Sequence, residues 1–94
     1  MNAKLICYDL SKLSQVNKVE IKRALFGYVE YSNNAAYTYK RKGILDNMPS
    51  IKPIKAVIIV RNEDEKAIIK ILRKYRAKYY TYSVEIPQWK FIKK

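Results

Sequence analysis

Two aromatic side chains and three cations lie within six residues of one another near the middle of the chain. Tyr37 and Tyr39 are one residue apart, and the basic run Lys40, Arg41 and Lys42 follows directly. Lysine and arginine bind phosphate, and a base stacks on a tyrosine ring with about 1–3 kcal/mol. This order predicts contacts to a nucleic acid, although alternating tyrosines are also typical of cross-strand packing in a sheet.

A second basic group lies in the last third of the chain, where acidic side chains are scarce. After Glu65, the sequence contains one acid, Glu85. Charge runs on helices are often merely solvated, but this shortage of acids favours phosphate contacts that are salt-sensitive and independent of base sequence. The residues of this group that we predict to contact nucleic acid are Arg73, Lys74, Arg76 and Tyr79.

A single carboxylate, Asp9, ends the first apolar segment, "LICYDLS". A carboxylate at a strand terminus can hold Mg²⁺ between itself and a substrate phosphate. It can equally accept backbone hydrogen bonds in a turn, which is the more common role. Asp9 is therefore a candidate metal ligand and catalytic residue of a Mg²⁺-dependent nuclease, which would need a second carboxylate, for example that of a symmetry mate in a homodimer.

The chain as a whole is strongly basic. Its 94 residues include 20 Lys and Arg against eight Asp and Glu, a formal net charge of +12. Such a charge on a small domain repels itself unless an anionic partner neutralises it, and nucleic acid is the usual partner. Composition therefore predicts a small DNA- or RNA-binding protein.

What the sequence lacks disfavours other classes of protein. It has no histidine and two glycines, which removes the commonest general base and a glycine-rich phosphate loop. The longest apolar run, residues 56–60, is too short to span a membrane. One cysteine allows no intrachain disulfide, as is typical of proteins inside the cell. We expect a cytoplasmic protein; the sequence favours a non-catalytic protein without deciding the point, and Mg²⁺ would be a cofactor only under the nuclease alternative.

Hydrophobic patterns predict one domain over residues 1–87. A strand over 4–10 precedes a helix over 18–26, which a capping box at Asn17 would begin and Gly27 would end. A second helix would begin at a capping box of Asn62 and Glu65. Its apolar positions follow helical spacing: Ile68, Ile71, Leu72 and Tyr75. Strands flank this helix at residues 54–61, apolar on both faces, and 78–86.

The segment 28–42 is open to two interpretations. Aromatic and β-branched residues around the pair Asn33 and Asn34 favour a β-hairpin, because Asn tolerates a positive φ in a turn. The alternative is a helix capped by Ser32 or Asn33 and ended by Gly43. Residues 43–53 then read as a turn-rich link with one helical turn before Pro49.

The predicted order is β-α-β-β-α-β, with the hairpin at 28–42 as an option for the second strand. Such an α+β chain folds as a ferredoxin-like antiparallel sheet with both helices on one face. The other face would be open, as in several small RNA-binding modules. The side chains that we expect on the open face are Tyr37, Tyr39, Tyr79 and Thr81.

Residues 88–94 form a short tail after the last predicted strand. It carries Trp89, Phe91 and Ile92, and exposed apolar residues of this kind often dock on a partner. A third hypothesis is therefore a protein-interaction or assembly module that uses this tail, while the simpler interpretation is that the tail folds back on its own core.

The segment "LICYDLS" followed by a helix, within this order of elements, resembles the CRISPR-associated Cas2 family. The resemblance implies a ferredoxin-like homodimer in which Asp9 binds metal at the dimer axis. The sequence "YKRKGILD", followed later by "VIIVR", also resembles small uncharacterised archaeal or archaeal-virus proteins, and this resemblance implies no function.

Overall fold

The protein is described by a computed structural model that covers residues 2–31, 37–87 and 90. The prediction of a small α+β domain is confirmed. Its strands and helices are β1 (Asn2–Asp9), α1 (Gln15–Phe26), β2 (Tyr28–Tyr31), β3 (Thr38–Arg41), β4 (Ser50–Ile54), β5 (Val57–Arg61), α2 (Glu65–Lys74) and β6 (Lys78–Glu85).

Four of the strands form an antiparallel sheet in the order β4-β5-β1-β6. The other two, β2 and β3, pair with each other in a separate two-stranded ribbon. The hairpin predicted within 28–42 is thus confirmed, but its expected place in the main sheet is wrong. Residues 32–36, which include the predicted turn at Asn33 and Asn34, lie outside the described residues.

The strand next to β5 is β4, in a segment that the sequence predicted as an irregular link. One part of that prediction is confirmed, because Ile44–Asn47 forms a helical turn of the 3₁₀ type. The strand itself was missed because Pro53 lacks an amide donor and disfavours a central strand. β4 lies at the edge of the sheet, where one missing donor is tolerated.

Both helices pack on one face of the sheet around the larger of two hydrophobic clusters, as predicted. On the sheet side, Ile6 of β1 contacts Ile58 and Val60 of β5. The helical positions of the same cluster are Ile21, Leu25, Ile68 and Leu72, each with no exposed surface. Burying a side chain of this size contributes about 1.5–3 kcal/mol.

The helix ends differ in part from the prediction. α1 begins three residues early, because the Ser14 hydroxyl, rather than Asn17, caps it by accepting the Asn17 amide at 3.1 Å. Gly27 ends α1 as predicted, with φ of 79°. The second predicted cap is also displaced, since residues 62–64 form a 3₁₀ turn and α2 starts at Glu65. Over the described residues, each helix is too short or too polar to cross a membrane.

Candidate nucleic-acid interface

The ribbon of β2 and β3 is exposed to solvent along both strands. Its register pairs Tyr28 with Arg41, Val29 with Lys40, Glu30 with Tyr39 and Tyr31 with Thr38. Directly paired residues share a face, so tyrosines and cations occur on both faces. Tyr31 and Tyr37 expose about two thirds of their surface and Tyr39 half. Such a ribbon buries little on its own, so its apolar surface is available to a ligand.

On one face of the ribbon, Arg41 is held between an acid and an aromatic ring. Its guanidinium lies 3.1 Å from a Glu30 carboxylate oxygen and 6.0 Å from the centre of the Tyr39 ring. The hydrogen bond from Arg41, together with its charge, lowers the pKa of Glu30. Both side chains are about half exposed, so this ion pair orients Arg41 without adding much stability.

The two glycines of the chain meet at the root of the ribbon. Gly27 has a positive φ, and a Cβ added there would clash with the carbonyl oxygen of Arg41. A Cβ on Gly43 would clash with the Gly27 amide nitrogen and with Leu25. The Asp46 carboxylate accepts the Gly43 amide at 2.8 Å. Gly27 and Gly43 therefore let β2 and β3 leave the domain side by side.

The predicted contacts Tyr37, Tyr39, Lys40, Arg41 and Lys42 thus come together in and beside β3. Each of them is exposed. They lie together because neighbours within one strand stay neighbours in space.

The second predicted group lies on another part of the molecule, around a groove between α2 and the edge strand β6. The groove has a volume of about 550 Å³ and contains Arg73 and Tyr79. The Arg73 Nε donates to the Tyr79 hydroxyl at 2.9 Å. Lys74 points its ammonium at the Tyr75 ring, 5.4 Å away, and Arg76 occupies a turn with φ of 60°. Arg73 and Tyr79 are therefore brought together, on a different element from the ribbon.

The expected face of the tyrosines in β6 is wrong. Tyr79 packs against the core on the helix side, and Thr81 lines the same groove. Tyr80 and Tyr82 lie on the helix-free face instead, 54% and 57% exposed. Tyrosines occupy both alternating sets of β6, so the pattern could not decide between the faces. The expectation is wrong for Tyr37 and Tyr39 too, because they do not belong to this sheet.

The helix-free face of the sheet is apolar around Tyr82, whereas Tyr80 has the Lys78 ammonium 5.8 Å from its ring centre. The strand register places Tyr80 beside Cys7 and Tyr82 beside Leu5. Farther along, Ala3 and Ile59 are buried on this face. Cations are found at its ends, where Lys78 lies opposite Asp9 and Arg61 opposite Ala3. The open face is thus unlike the basic aromatic surface that the sequence suggested.

Asp9 is the last residue of β1 and stabilises the turn that follows. Its carboxylate accepts the Ser11 amide at 2.8 Å, and hydrogen bonds from Ser11 together with the charges of Lys78 and Lys12 lower its pKa. This geometry is that of a turn aspartate. Within residues 2–31, 37–87 and 90, no group of three or more Cys, Asp or Glu side chains is placed to hold a metal ion.

A third basic site was missed by the sequence prediction. A groove with a volume of about 710 Å³ lies between α1 and the segment of β4 and its following turn. Four lysines line it: Lys18, Lys22, Lys52 and Lys55. The four-residue spacing of Lys18 and Lys22 predicts that they share one face of α1. No sequence pattern predicts that this face lies opposite Lys52 and Lys55.

The predicted interaction residues of the tail, Trp89, Phe91 and Ile92, lie outside the described residues. Comparisons of the chain with protein-family models, with curated proteins and with solved structures find no match.

Proposed function

We propose that the protein binds nucleic acid and that the ribbon of β2 and β3 is its main contact. The observation that carries the proposal is the solvent exposure of every residue in both strands, with Tyr39 next to Lys40 and Arg41. A fold leaves aromatic rings in water at a cost, and a ligand with flat apolar bases and phosphates matches both residue types.

The ligand would be held through two kinds of contact. Lys40, Arg41 and Lys42 bind phosphates, and Tyr37 and Tyr39 stack on bases. Stacking needs unpaired bases, so single strands bind more tightly than duplexes. Glu63 and Asp64 pair with Arg61, away from the ribbon, so these two acids do not compete for the cations of the ribbon.

We also propose that the main sheet is ferredoxin-like, with the ribbon as an insertion. β1-α1-β4 and β5-α2-β6 are two β-α-β units whose strands interleave in the order β4-β5-β1-β6. Interleaving of two such units defines the ferredoxin-like arrangement. The ribbon then lies between α1 and β4, where it can serve binding without contributing to the core.

Arg73, Lys74, Arg76 and Tyr79 stay predicted contacts in this proposal. They would reach a ligand long enough to extend from the ribbon to the end of α2. They contribute less to affinity than the ribbon does, because Arg73 already donates to Tyr79 and because Tyr79 packs partly against the core.

Fluorescence anisotropy over a salt series tests the proposal. Labelled single-stranded DNA and RNA oligomers should bind, and the logarithm of affinity should fall linearly with the logarithm of salt, by about 0.7 per phosphate contacted. The variant Lys40→Gln with Lys42→Gln should show a smaller slope than wild type. An affinity that does not depend on salt, or no binding to either nucleic acid, would refute the proposal.

A further inference from the structure

The groove between α1 and β4 follows helix α1 from Lys18 to Phe26. One wall is the helix face that carries Lys18, Lys22 and Phe26, which recur at every fourth residue. The opposite wall is Lys52 of β4 and Lys55 of the following turn. From Lys18 to the end of α1 the helix rises about 12 Å, which makes the groove elongated.

The lining of this groove suits phosphate. It contains four lysines and one carboxylate, Asp9, which lies at the end of β1. Lys52 points its ammonium at the Phe26 ring, 4.3 Å from the centre, so this cation lies beside an apolar surface rather than extending into water. A row of ammonium groups along an aromatic wall can bind an extended polyanion through its phosphates.

The groove also joins the ribbon. Gly27 lines the groove and is the residue directly before β2. Arg23, one helical turn before Gly27, stacks on the Tyr28 ring at 4.5 Å and continues the cationic surface from α1 to the ribbon. A nucleic-acid strand held by the ribbon can therefore pass the root of the ribbon at Gly27 and enter the groove.

We propose that the groove between α1 and β4 is a second phosphate-binding site, which takes the continuation of the nucleic-acid strand that the ribbon holds. The inference rests on the proposed function. It adds the path of the ligand: from the ribbon, past Gly27, along Lys22 and Lys18 towards the end of β1. Asp9 ends this path, because its ionised carboxylate repels a further phosphate.

The groove beside β6 offers a matched control for the groove between α1 and β4. Lys18 and Lys22 of α1 have counterparts in Lys66 and Lys70 of α2, which share their four-residue spacing and line the groove beside β6. The variants K18Q/K22Q and K66Q/K70Q remove the same charge from equivalent helix surfaces, and Gln keeps helix propensity close to that of Lys. Circular dichroism melts of both variants check that folding is retained.

Binding is measured for single-stranded oligomers of about 8 and about 24 nucleotides, which lie within and above the range of about 4–16 nucleotides usual for one small domain. For the long oligomer, K18Q/K22Q should lower the salt slope by up to about 1.4, which is two phosphate contacts, whereas K66Q/K70Q should lower it by less than half as much. For the short oligomer, which the ribbon alone can hold, K18Q/K22Q should differ little from wild type.

Equal effects of the two variants on the long oligomer would overturn the inference, because general charge would then explain them. An unchanged slope for K18Q/K22Q would overturn it as well. Either result leaves the proposed function standing if the short oligomer still binds through the ribbon, so the two failures are distinguishable.

Discussion

The ribbon and the helix-free face of the sheet both expose tyrosines, yet their surroundings differ. Tyr39 of the ribbon is 50% exposed, close to the 54% and 57% of Tyr80 and Tyr82 on the sheet. Tyr39 has Arg41 beside it on the same face. On the sheet, Tyr80 has Cys7 and the Lys78 ammonium, 5.8 Å from its ring centre, whereas Tyr82 has Leu5. Exposure alone therefore does not distinguish these tyrosines, and the clearest contrast in neighbouring charge is between Tyr39 and Tyr82.

The two regions also differ in what holds them. Tyr80 and Tyr82 lie on β6, which pairs with β1, a strand of the buried core. Removing one of these rings should therefore change the surface of the sheet without moving its backbone. The ribbon is a two-stranded element, marginally stable on its own, and its position depends on Gly27 and Gly43 at the root. A ligand that orders the ribbon must offset the conformational entropy that the ribbon loses on ordering. A polyanion can do so through its contacts with the basic side chains of the ribbon.

Excising the ribbon should give the largest effect. The Gly27 and Gly43 backbones are in contact, so replacing residues 28–42 with a short Gly-Ser link keeps the chain continuous without strain. We expect nucleic-acid affinity to fall by at least about 100-fold, the loss of two stacked bases. The far-ultraviolet circular dichroism spectrum and a cooperative melt should be retained, because the core cluster lies outside the excised segment. Loss of the melt would contradict the insertion, and unchanged affinity would contradict the binding role.

Truncating single tyrosines sharpens the comparison directly. Tyr39→Ala should weaken binding by about 1–3 kcal/mol, or roughly 5- to 150-fold, because one stacking platform is removed. Tyr82→Ala, the matched change on the sheet, should alter affinity by less than about twofold, because Leu5 rather than a cation lies beside Tyr82. Anisotropy titrations at one salt concentration measure both. An equal loss in the two variants would mean that the sheet face binds the ligand too.

The glycine at the ribbon root predicts an intermediate effect. Gly27→Ala forces a Cβ into an occupied position at a positive φ, so it should lower stability by more than about 1 kcal/mol and lower affinity with it. The opposite change, Ala56→Gly, is the control, because Ala56 has φ of 66° in the turn between β4 and β5. Glycine relieves that conformation, so the melting temperature should rise or stay level. A Gly27→Ala protein as stable as wild type would contradict the close approach at the root.

Releasing Arg41 from its acid should give the smallest effect. Glu30→Gln frees the guanidinium for phosphate, so affinity at low salt should rise a few-fold and the salt slope should increase slightly. Glu85→Gln, at the end of β6, makes the same change in net charge away from the ribbon. If both variants gain equally, the gain reflects net charge rather than Arg41.

The Glu30 pair also has a direction with pH. Arg41 lowers the pKa of Glu30, so the ion pair contributes stability at pH values above the ordinary carboxylate pKa. This stability is lost as pH falls through the lowered pKa of Glu30. As pH falls through that interval, the affinity of the wild-type protein for nucleic acid should therefore rise. Glu30→Gln should not show this rise. Titrations of both proteins across the interval check this.

Local patterns determined much of this protein. The spacing of Ile68 and Leu72 predicted a helix with one buried face, and both side chains are buried. Gly27 predicted the end of α1, and the apolar run before Arg61 predicted an interior strand. The segment around Tyr39 predicted a basic aromatic hairpin. Each prediction concerns residues a few positions apart, whose geometry is set by backbone sterics and by the period of the helix or strand.

Only the tertiary structure decided which of these parts meet. It put β4 rather than the hairpin beside β5, placed Tyr79 on the helix side of β6, and brought Lys22 across from Lys52. Residues 30 positions apart are neighbours only because a shared core holds their elements together. Non-local packing of that kind leaves no period in the chain, so the basic hairpin could be anticipated from the sequence and the second basic groove could not.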